Sequence, residues 1–309
     1  MTTIRSAICV RCPPRWLLLR VETDDGEIGW GEAIGDLHDE VESALNAIGE
    51  RVVGSSIHDI TRTIETQRKT RFWRDGPVLD TALSALEMAL WDLKGKQHGA
   101  PIHDLLGGRV RERVRVYRNL WGRNPEEFAE SAREAVSQSM TAVKVSPAGP
   151  TQGVVSRADL NDMAEIVRTV RDAIGPTVDL AVDLHGRMTP SASRRAVHTL
   201  APMDPFFIEE PCLPDGSASH IADLRALRTA QPIAIATGER LRSAHAFAQH
   251  LMPSPVVDII QPDVSMVGGI RATVEIGAMA SAAQVSMAPH CPYGPVQFAA
   301  SMQVAAASP

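Results

Sequence analysis

The chain has 309 residues, 44% of them hydrophobic and 22% charged, which is the composition of an ordinary globular protein with one large and one smaller domain. Its formal net charge of −6 offers no basic surface and argues against nucleic acid or a membrane as a partner. The longest early apolar run, residues 16–19, is too short for a signal peptide or a membrane span. The four cysteines fit a reducing compartment better than a disulfide framework, so we expect a cytoplasmic protein.

Residues 1–113 predict a small α+β domain. Alternating apolar runs joined by an Asp25-Gly26 turn indicate an antiparallel meander, and segments with an apolar face at helical spacing follow. The predicted elements are strands at 3–12, 17–22 and 28–32 and helices at 39–53, 58–71 and 77–96. A meander of strands followed by helices is typical of an α+β fold.

From residue 114 onward, short apolar strands alternate with helices, which predicts a parallel sheet that is either doubly wound or a (β/α) barrel. The predicted strands are 114–118, 142–145, 178–183, 206–209, 233–237, 257–261 and 285–288. No glycine-rich nucleotide-binding motif opens any of the helices. Seven strands are one short of a closed barrel, and the helix at 295–307 ends without a glycine cap. We therefore assign residues 114–309 to a (β/α) barrel domain. We expect the C-terminal end of that domain to be missing from the sequence.

Five successive strands are each followed by a carboxylate or an imidazole. These residues are 24 to 30 positions apart, about one βα unit: Asp183, Glu209, Glu239, Asp263 and His290. His185 stands two positions after Asp183, so alternation along a strand would point both side chains the same way. In a (β/α) barrel, catalytic groups collect at the C-terminal ends of the strands. The regular spacing therefore favours a barrel with one shared active site.

The residue types at this predicted rim indicate a particular chemistry. Asp183, Glu209 and Glu239 form an all-oxygen set that suits Mg²⁺ and would repel one another without a cation. Asp263 can fix the tautomer of His290 and make it a general base. If His290 removes an α-proton and His185 protonates a departing β-hydroxyl, the substrate is dehydrated through an enolate. If both histidines act on one carbon from opposite faces, the outcome is racemisation or epimerisation.

These residues lie in motifs that resemble the enolase superfamily, mandelate racemase subgroup, and within it the galactonate dehydratase-like acid-sugar dehydratases. The motifs span most of the chain: Gly29-Trp30-Gly31-Glu32, Trp91-Asp92-Leu93-Lys94-Gly95, Asp183-Leu184-His185-Gly186-Arg187, Glu209-Glu210-Pro211, Gly238-Glu239-Arg240, Gln261-Pro262-Asp263 and Pro289-His290-Cys291-Pro292. The resemblance implies a modified TIM barrel with an N-terminal capping domain. It also implies a homo-oligomer that dehydrates an acid sugar such as galactonate to a 2-keto-3-deoxy acid.

The resemblance further implies that loops of the capping domain close over the substrate, which makes Arg15 and Trp16 candidate substrate contacts. Lys144 and Arg187 are additional candidates for binding the acid sugar. Ser146 occupies the place where a mandelate racemase-like Lys-x-Lys strand has its second lysine, so no lysine base is available there. Two alternatives remain open: a racemase, epimerase or cycloisomerase on the same scaffold, and a truncated homologue without catalytic activity.

Overall fold

The computed structural model describes residues 2–147, 154–214, 217–230 and 232–309. Backbone contacts divide the chain into two compact units. The first unit comprises residues 1–114, 239–248 and 261–309, and the second comprises residues 115–238 and 249–260. No helix in the described ranges is both long and apolar enough to cross a membrane. The predicted domain boundary at residue 113 remains a prediction.

The N-terminal part of the first unit contains the predicted meander and helices. Its elements are strands β1 (Ile4–Cys12), β2 (Trp16–Thr23) and β3 (Ile28–Ala33) and helices α1 (His38–Val52), α2 (Ile60–Lys69), α3 (Pro77–His98) and α4 (Ile102–Leu105). The strands pair antiparallel in the order β1-β2-β3. Leu17, Leu19 and Val21 are fully buried because alternate residues of β2 face one side of the sheet. The predicted α+β fold of this region is confirmed.

Strand β3 lies directly against α3. A side chain at Gly31 would collide with the backbone carbonyl of Ala85, and one at Gly29 would collide with the carbonyl of Ala89. The two glycines sit on the same face of the strand, so both are needed for this close approach. Helix α3 begins with Pro77 in its first turn and ends at Gly99, whose left-handed conformation satisfies the last carbonyls.

The rest of the chain alternates strands and helices around a second sheet. Its elements are β4 (Arg118–Asn119), α5 (Pro125–Ser137), β5 (Ala142–Val145), α6 (Arg157–Ile174), β6 (Asp179–Asp183), α7 (Pro190–Leu200), β7 (Phe207–Glu209), α8 (Ala218–Ala230), β8 (Ala234–Thr237), α9 (Ala244–Leu251), β9 (Ile259–Ile260), α10 (Ile270–Ala282), β10 (Ser286–Met287) and α11 (Pro295–Ala307). Within the described ranges, the sheet has seven strands in the order β10-β9-β8-β7-β6-β5-β4. Sequential neighbours from β4 to β9 pair in parallel. The predicted seven-stranded barrel-type sheet is confirmed.

The first strand of this sheet is shorter than predicted and lies further along the chain. The alternating residues 114–118 predicted a strand, but only Arg118–Asn119 pairs with β5. Val116 is 41% exposed, so its apolar side chain does not contribute to the core. The side chain of Arg115 instead binds Asp179 at 2.7 Å and the Thr141 carbonyl at 2.8 Å. Side-chain bonds thus replace ladder bonds where the alternation suggested a strand.

A buried glutamate on α3 caps the N-terminus of α10. The carboxylate of Glu87 accepts hydrogen bonds from the backbone N–H groups of Ile270 at 2.7 Å and Arg271 at 3.0 Å, and from Trp91 Nε1 at 2.8 Å. These backbone groups have no partner within their own helix, and the helix dipole favours a negative group there. Gly269 leaves room for the carboxylate, because a side chain at that position would overlap it. Burial nevertheless raises the pKa of Glu87 to about 7, against the lowering effect of its donors.

The raised pKa predicts how stability depends on pH. The folded state keeps a proton on Glu87 up to about pH 7, whereas the unfolded chain loses it near 4.5, so the free energy of unfolding falls as pH rises between these values. The full effect is on the order of 3 kcal/mol. Glu87→Gln should remove this part of the slope when denaturant unfolding is measured from pH 4.5 to 7.5. Glu50→Gln, on the exposed side of α1, is the control and should keep the parent slope. An unchanged slope in Glu87→Gln would contradict the assignment.

Candidate active site

The carboxyl ends of β6 and β7 place two acidic side chains next to each other. Asp183 and Glu209 end their strands as direct partners in the parallel register, and their exposed fractions are 1% and 0%. Lys144, on the neighbouring β5, lies with its Nζ 2.7 Å from Glu209 Oε1 and 3.3 Å from Asp183 Oδ2. The three residues share one edge because parallel strands all end on the same side of a sheet.

Lys144 is a fixed positive charge in this cluster. Burial disfavours its ammonium group, but Glu209, Tyr117 and Asp183 act in the opposite direction and hold the pKa of Lys144 above its ordinary value. The side chain therefore remains protonated and cannot serve as a general base near neutral pH. Its ammonium offsets part of the negative charge of the two buried carboxylates.

His185 reaches Asp183 through a turn and not through strand alternation. Strand β6 ends at Asp183, and His185 has a φ of 52°, in the left-handed region. Its backbone N–H donates to Asp183 Oδ1 at 2.8 Å, while its Nε2 lies 3.1 Å from Asp183 Oδ2. Gly186 continues the turn with a φ of 63° and lies against Leu213. The predicted proximity of the two side chains is present, although its cause is different.

The first unit contains a second cluster, centred on His290. Its Nδ1 lies 2.8 Å from Asp263 Oδ2, and its Nε2 lies 3.1 Å from Glu239 Oε2. Asp263 and His290 are also linked by an isolated parallel bridge, in which the His290 N–H donates to the Pro262 carbonyl. Burial disfavours the imidazolium, but hydrogen bonds with Asp263 and Glu239 outweigh burial and raise the pKa of His290 to about 10.

These contacts distinguish the two nitrogens of His290. Asp263 is only 1% exposed and accepts from Nδ1, which fixes the ring orientation and the Nδ1–H tautomer. Nε2 is then the nitrogen that can exchange a proton with another molecule. This is the arrangement in which a histidine acts as a general acid or base.

Asp183 and Glu209 are an acidic pair of the second unit that could hold a metal ion, and Glu239, in the first unit, is the third predicted ligand. An all-carboxylate donor set suits a hard cation such as Mg²⁺, which prefers oxygen ligands. Lys144 supplies only one positive charge beside Asp183 and Glu209, so a divalent cation fits the charge of the group as well as its donor atoms.

The structure places the remaining predicted residues as follows. Arg15 donates to the Pro292 carbonyl at 2.7 Å, and its guanidinium carbon lies 5.4 Å from the centre of the Tyr293 ring, so it contacts the segment that directly follows His290. Trp16 is half-buried at the start of β2, and Arg187 is exposed after the turn that carries His185. Contact of Arg15, Trp16, Arg187 or Lys144 with a substrate remains a prediction.

Two buried polar residues near His290 were missed by the sequence reasoning. Gln297 is fully buried, and its Nε2 donates to Asp263 Oδ1 at 2.7 Å. Glu32 is also fully buried and accepts from the backbone of Gln297. A signal for Gln297 was present, because it is a lone amide in the otherwise apolar first turns of α11. Glu32 is the last residue of the Gly29-Trp30-Gly31-Glu32 motif, but this motif does not indicate that Glu32 binds Gln297.

Comparison with known proteins identifies the family of both parts of the chain. Residues 3–107 match the N-terminal domain of the mandelate racemase/muconate lactonizing enzyme family, and residues 127–309 match the enolase C-terminal domain-like family. The crystal structure of a mandelate racemase/muconate lactonizing enzyme from Sulfitobacter sp. superimposes with a TM-score of 0.91 at 31% identity. This match covers 100% of the present chain and 83% of the Sulfitobacter chain.

Curated relatives are sugar-acid dehydratases. The chain is 38% identical to the D-gluconate dehydratase of Thermoproteus tenax over 96% of its own length, and it spans 60% of the length of that relative. It is 36% identical to the D-galactonate dehydratase of Variovorax paradoxus, covering 95% of the chain and 76% of the relative. The matches to both domains and to these relatives show that the chain belongs to the mandelate racemase/muconate lactonizing enzyme family of the enolase superfamily.

Proposed function

We propose that the protein catalyses the Mg²⁺-dependent dehydration of an acid sugar, an aldonate such as galactonate, to a 2-keto-3-deoxy acid. The observation that carries the proposal is the pairing of His290 Nδ1 with Asp263, which orients the ring for proton transfer at Nε2 once Glu239, the present partner of Nε2, holds the metal. The relatives named D-gluconate dehydratase and D-galactonate dehydratase support the reaction class and the choice of an aldonate. Cytoplasmic location and assembly into a homo-oligomer are part of the same proposal.

In this proposal Asp183, Glu209 and Glu239 hold the Mg²⁺ ion. When bound, the ion acts as a Lewis acid that stabilises negative charge developing on the substrate carboxylate. His290 Nε2 takes the proton from the α-carbon, and the electron pair of the broken C–H bond moves toward the carboxylate. Asp263 stabilises the imidazolium that forms and keeps its orientation.

The second half of the reaction expels the β-hydroxyl group. His185 donates a proton to this oxygen, so that the C–O bond breaks and water leaves as the carbon–carbon double bond forms. The resulting enol tautomerises to the 2-keto-3-deoxy acid. Lys144 keeps Asp183 and Glu209 in place through its two short contacts. Lys144 and Arg187 contact the acid sugar, and Arg15 and Trp16 contact it from the N-terminal part of the chain.

Isomerisation on the same scaffold is the second candidate function. It is favoured by the presence of two histidines, each beside a carboxylate, because two acid–base groups could act on one carbon. Ser146 argues against the lysine–histidine version of that chemistry. A library of acid sugars screened for 2-keto-3-deoxy products tests the choice. Exchange of the α-hydrogen in D₂O without such a product would favour isomerisation.

Substitution of each histidine separates the two proton transfers. His290→Asn should lower α-hydrogen exchange in D₂O by roughly 10²-fold to 10⁴-fold, the usual contribution of a general base. His185→Asn should keep exchange and stop product formation. Asparagine is suitable at position 185 because it tolerates the left-handed backbone found there. Loss of exchange in His185→Asn together with normal exchange in His290→Asn would reverse the assigned roles.

Metal binding can be tested without any substrate. Glu239→Gln should weaken Mg²⁺ binding in calorimetry by more than the roughly tenfold effect typical of an outer-shell change, because it removes a charged ligand. Glu130→Gln, on the exposed face of α5, is the matched control and should bind Mg²⁺ like the parent protein. Equal affinities in the two variants would remove Glu239 from the ligand set.

A further inference from the structure

We infer that Gln297 is a positioning residue for the Asp263–His290 pair and that Glu32, on strand β3, holds Gln297 in place. A continuous path of hydrogen bonds within the first unit connects these residues. The inference rests on the proposed function in its assignment of His290 as the base. It adds two residues that do not touch the reacting atoms.

The path begins where β3 meets the first turn of α11. Glu32 Oε2 accepts from the backbone N–H groups of Val296 at 3.0 Å and Gln297 at 2.9 Å. These N–H groups have no acceptor within the helix, so a carboxylate is well placed to satisfy them. Gly294 gives the carboxylate room, since a side chain there would overlap Glu32. Glu32 is fully buried, and its position therefore fixes the start of the helix.

The side chain of Gln297 uses both ends of its amide. Its Oε1 accepts from the Tyr293 N–H at 3.1 Å, and its Nε2 donates to Asp263 Oδ1 at 2.7 Å. With both ends bonded, the amide has one preferred orientation, and its N–H faces the carboxylate. Gln297 is fully buried, so it acts on Asp263 and has no surface from which to contact a substrate.

Asp263 is held by a second route that also begins at Glu32. The Ser265 hydroxyl donates to the backbone carbonyl of Glu32 at 3.0 Å, while the Ser265 N–H donates to Asp263 Oδ1 at 2.7 Å. Oδ1 thus accepts two hydrogen bonds, and Oδ2 remains directed at His290 Nδ1. Two connections from one residue of β3 restrict the rotation of this carboxylate. The direction of the imidazole follows from the carboxylate that holds it.

Removal of the Gln297 amide should therefore slow proton transfer by His290 and leave substrate binding unchanged. Asp263 Oδ1 would lose one of its two donors, so the carboxylate would gain freedom to rotate and its bond to His290 would become less well aligned. Proton transfer depends on this alignment, whereas the fully buried Gln297 contributes nothing to substrate affinity.

The chain provides a matched control on the same helix. Gln303 lies on α11 six positions after Gln297, and its Oε1 accepts from the backbone N–H of His103 at 2.9 Å and lies 2.8 Å from His103 Nδ1. It is a glutamine that bonds the N-terminal part of the chain but does not touch Asp263. Methionine has a similar length and good helix propensity. Gln297→Met and Gln303→Met therefore each remove one side-chain amide from α11 and keep the helix.

The first measurement is the α-hydrogen exchange rate in D₂O with the aldonate that the parent enzyme turns over. Gln297→Met should lower kcat for exchange on the order of 10-fold to 100-fold, the usual effect of removing a supporting hydrogen bond, with KM unchanged. Gln303→Met should leave both parameters at the parent values. Glu32→Gln keeps an oxygen acceptor for the helix and should reproduce part of the loss in kcat. A change confined to KM, or equal changes in Gln297→Met and Gln303→Met, would overturn the inference.

The second measurement needs no substrate. In the Mg²⁺-loaded protein, the Nδ1–H proton of His290 is identified in the NMR spectrum by its loss in His290→Asn. This resonance should shift or broaden in Gln297→Met and stay unchanged in Gln303→Met; an unchanged resonance in both overturns the inference. If the resonance responds in this way while the parent protein exchanges no acid sugar, the positioning of the pair stands and the proposed function fails.

Discussion

Two carboxylates buried side by side at the ends of neighbouring parallel strands cannot both remain ionised unless positive charge lies next to them. Asp183 and Glu209 are in this situation because the register of β6 and β7 makes them direct partners. Lys144 on the adjacent strand supplies one positive charge, and its own ionisation depends on theirs. The cluster therefore has a negative excess that favours binding a cation. Asp183, Glu209 and Lys144 are all strand residues, so the composition of the cluster follows from the sheet.

His290 repeats the same principle in the first unit. Its imidazole lies between Asp263 and Glu239, so both ring nitrogens face carboxylates and the charged form is favoured in spite of burial. Asp263 is in turn fixed by Gln297 and Ser265. Each charged group in this cluster is thus oriented by a neighbour that is itself bonded. An imidazole held in this way needs little rearrangement to transfer a proton.

The element types and most of the acidic residues could be predicted from the sequence, because βα periodicity places strand ends at regular intervals. What failed were features that depend on three-dimensional neighbours. The strand predicted at 114–118 is largely replaced by side-chain bonds of Arg115. His185 meets Asp183 through a left-handed turn that alternation does not describe. The roles of Gln297 and Glu32 arise from contacts between segments far apart in the chain, and no local pattern encodes such contacts.

The glycines of β3 have a mechanical consequence. Because Gly29 and Gly31 have no side chains, the backbone of the strand packs directly against the carbonyl groups of α3. No side chain that could change rotamer lies between them at these positions. We therefore expect β3 and α3 to move together as one rigid unit. Glu32 follows Gly31 directly on this closely packed strand. Motion of the surrounding loops should therefore have little effect on the residues that Glu32 binds.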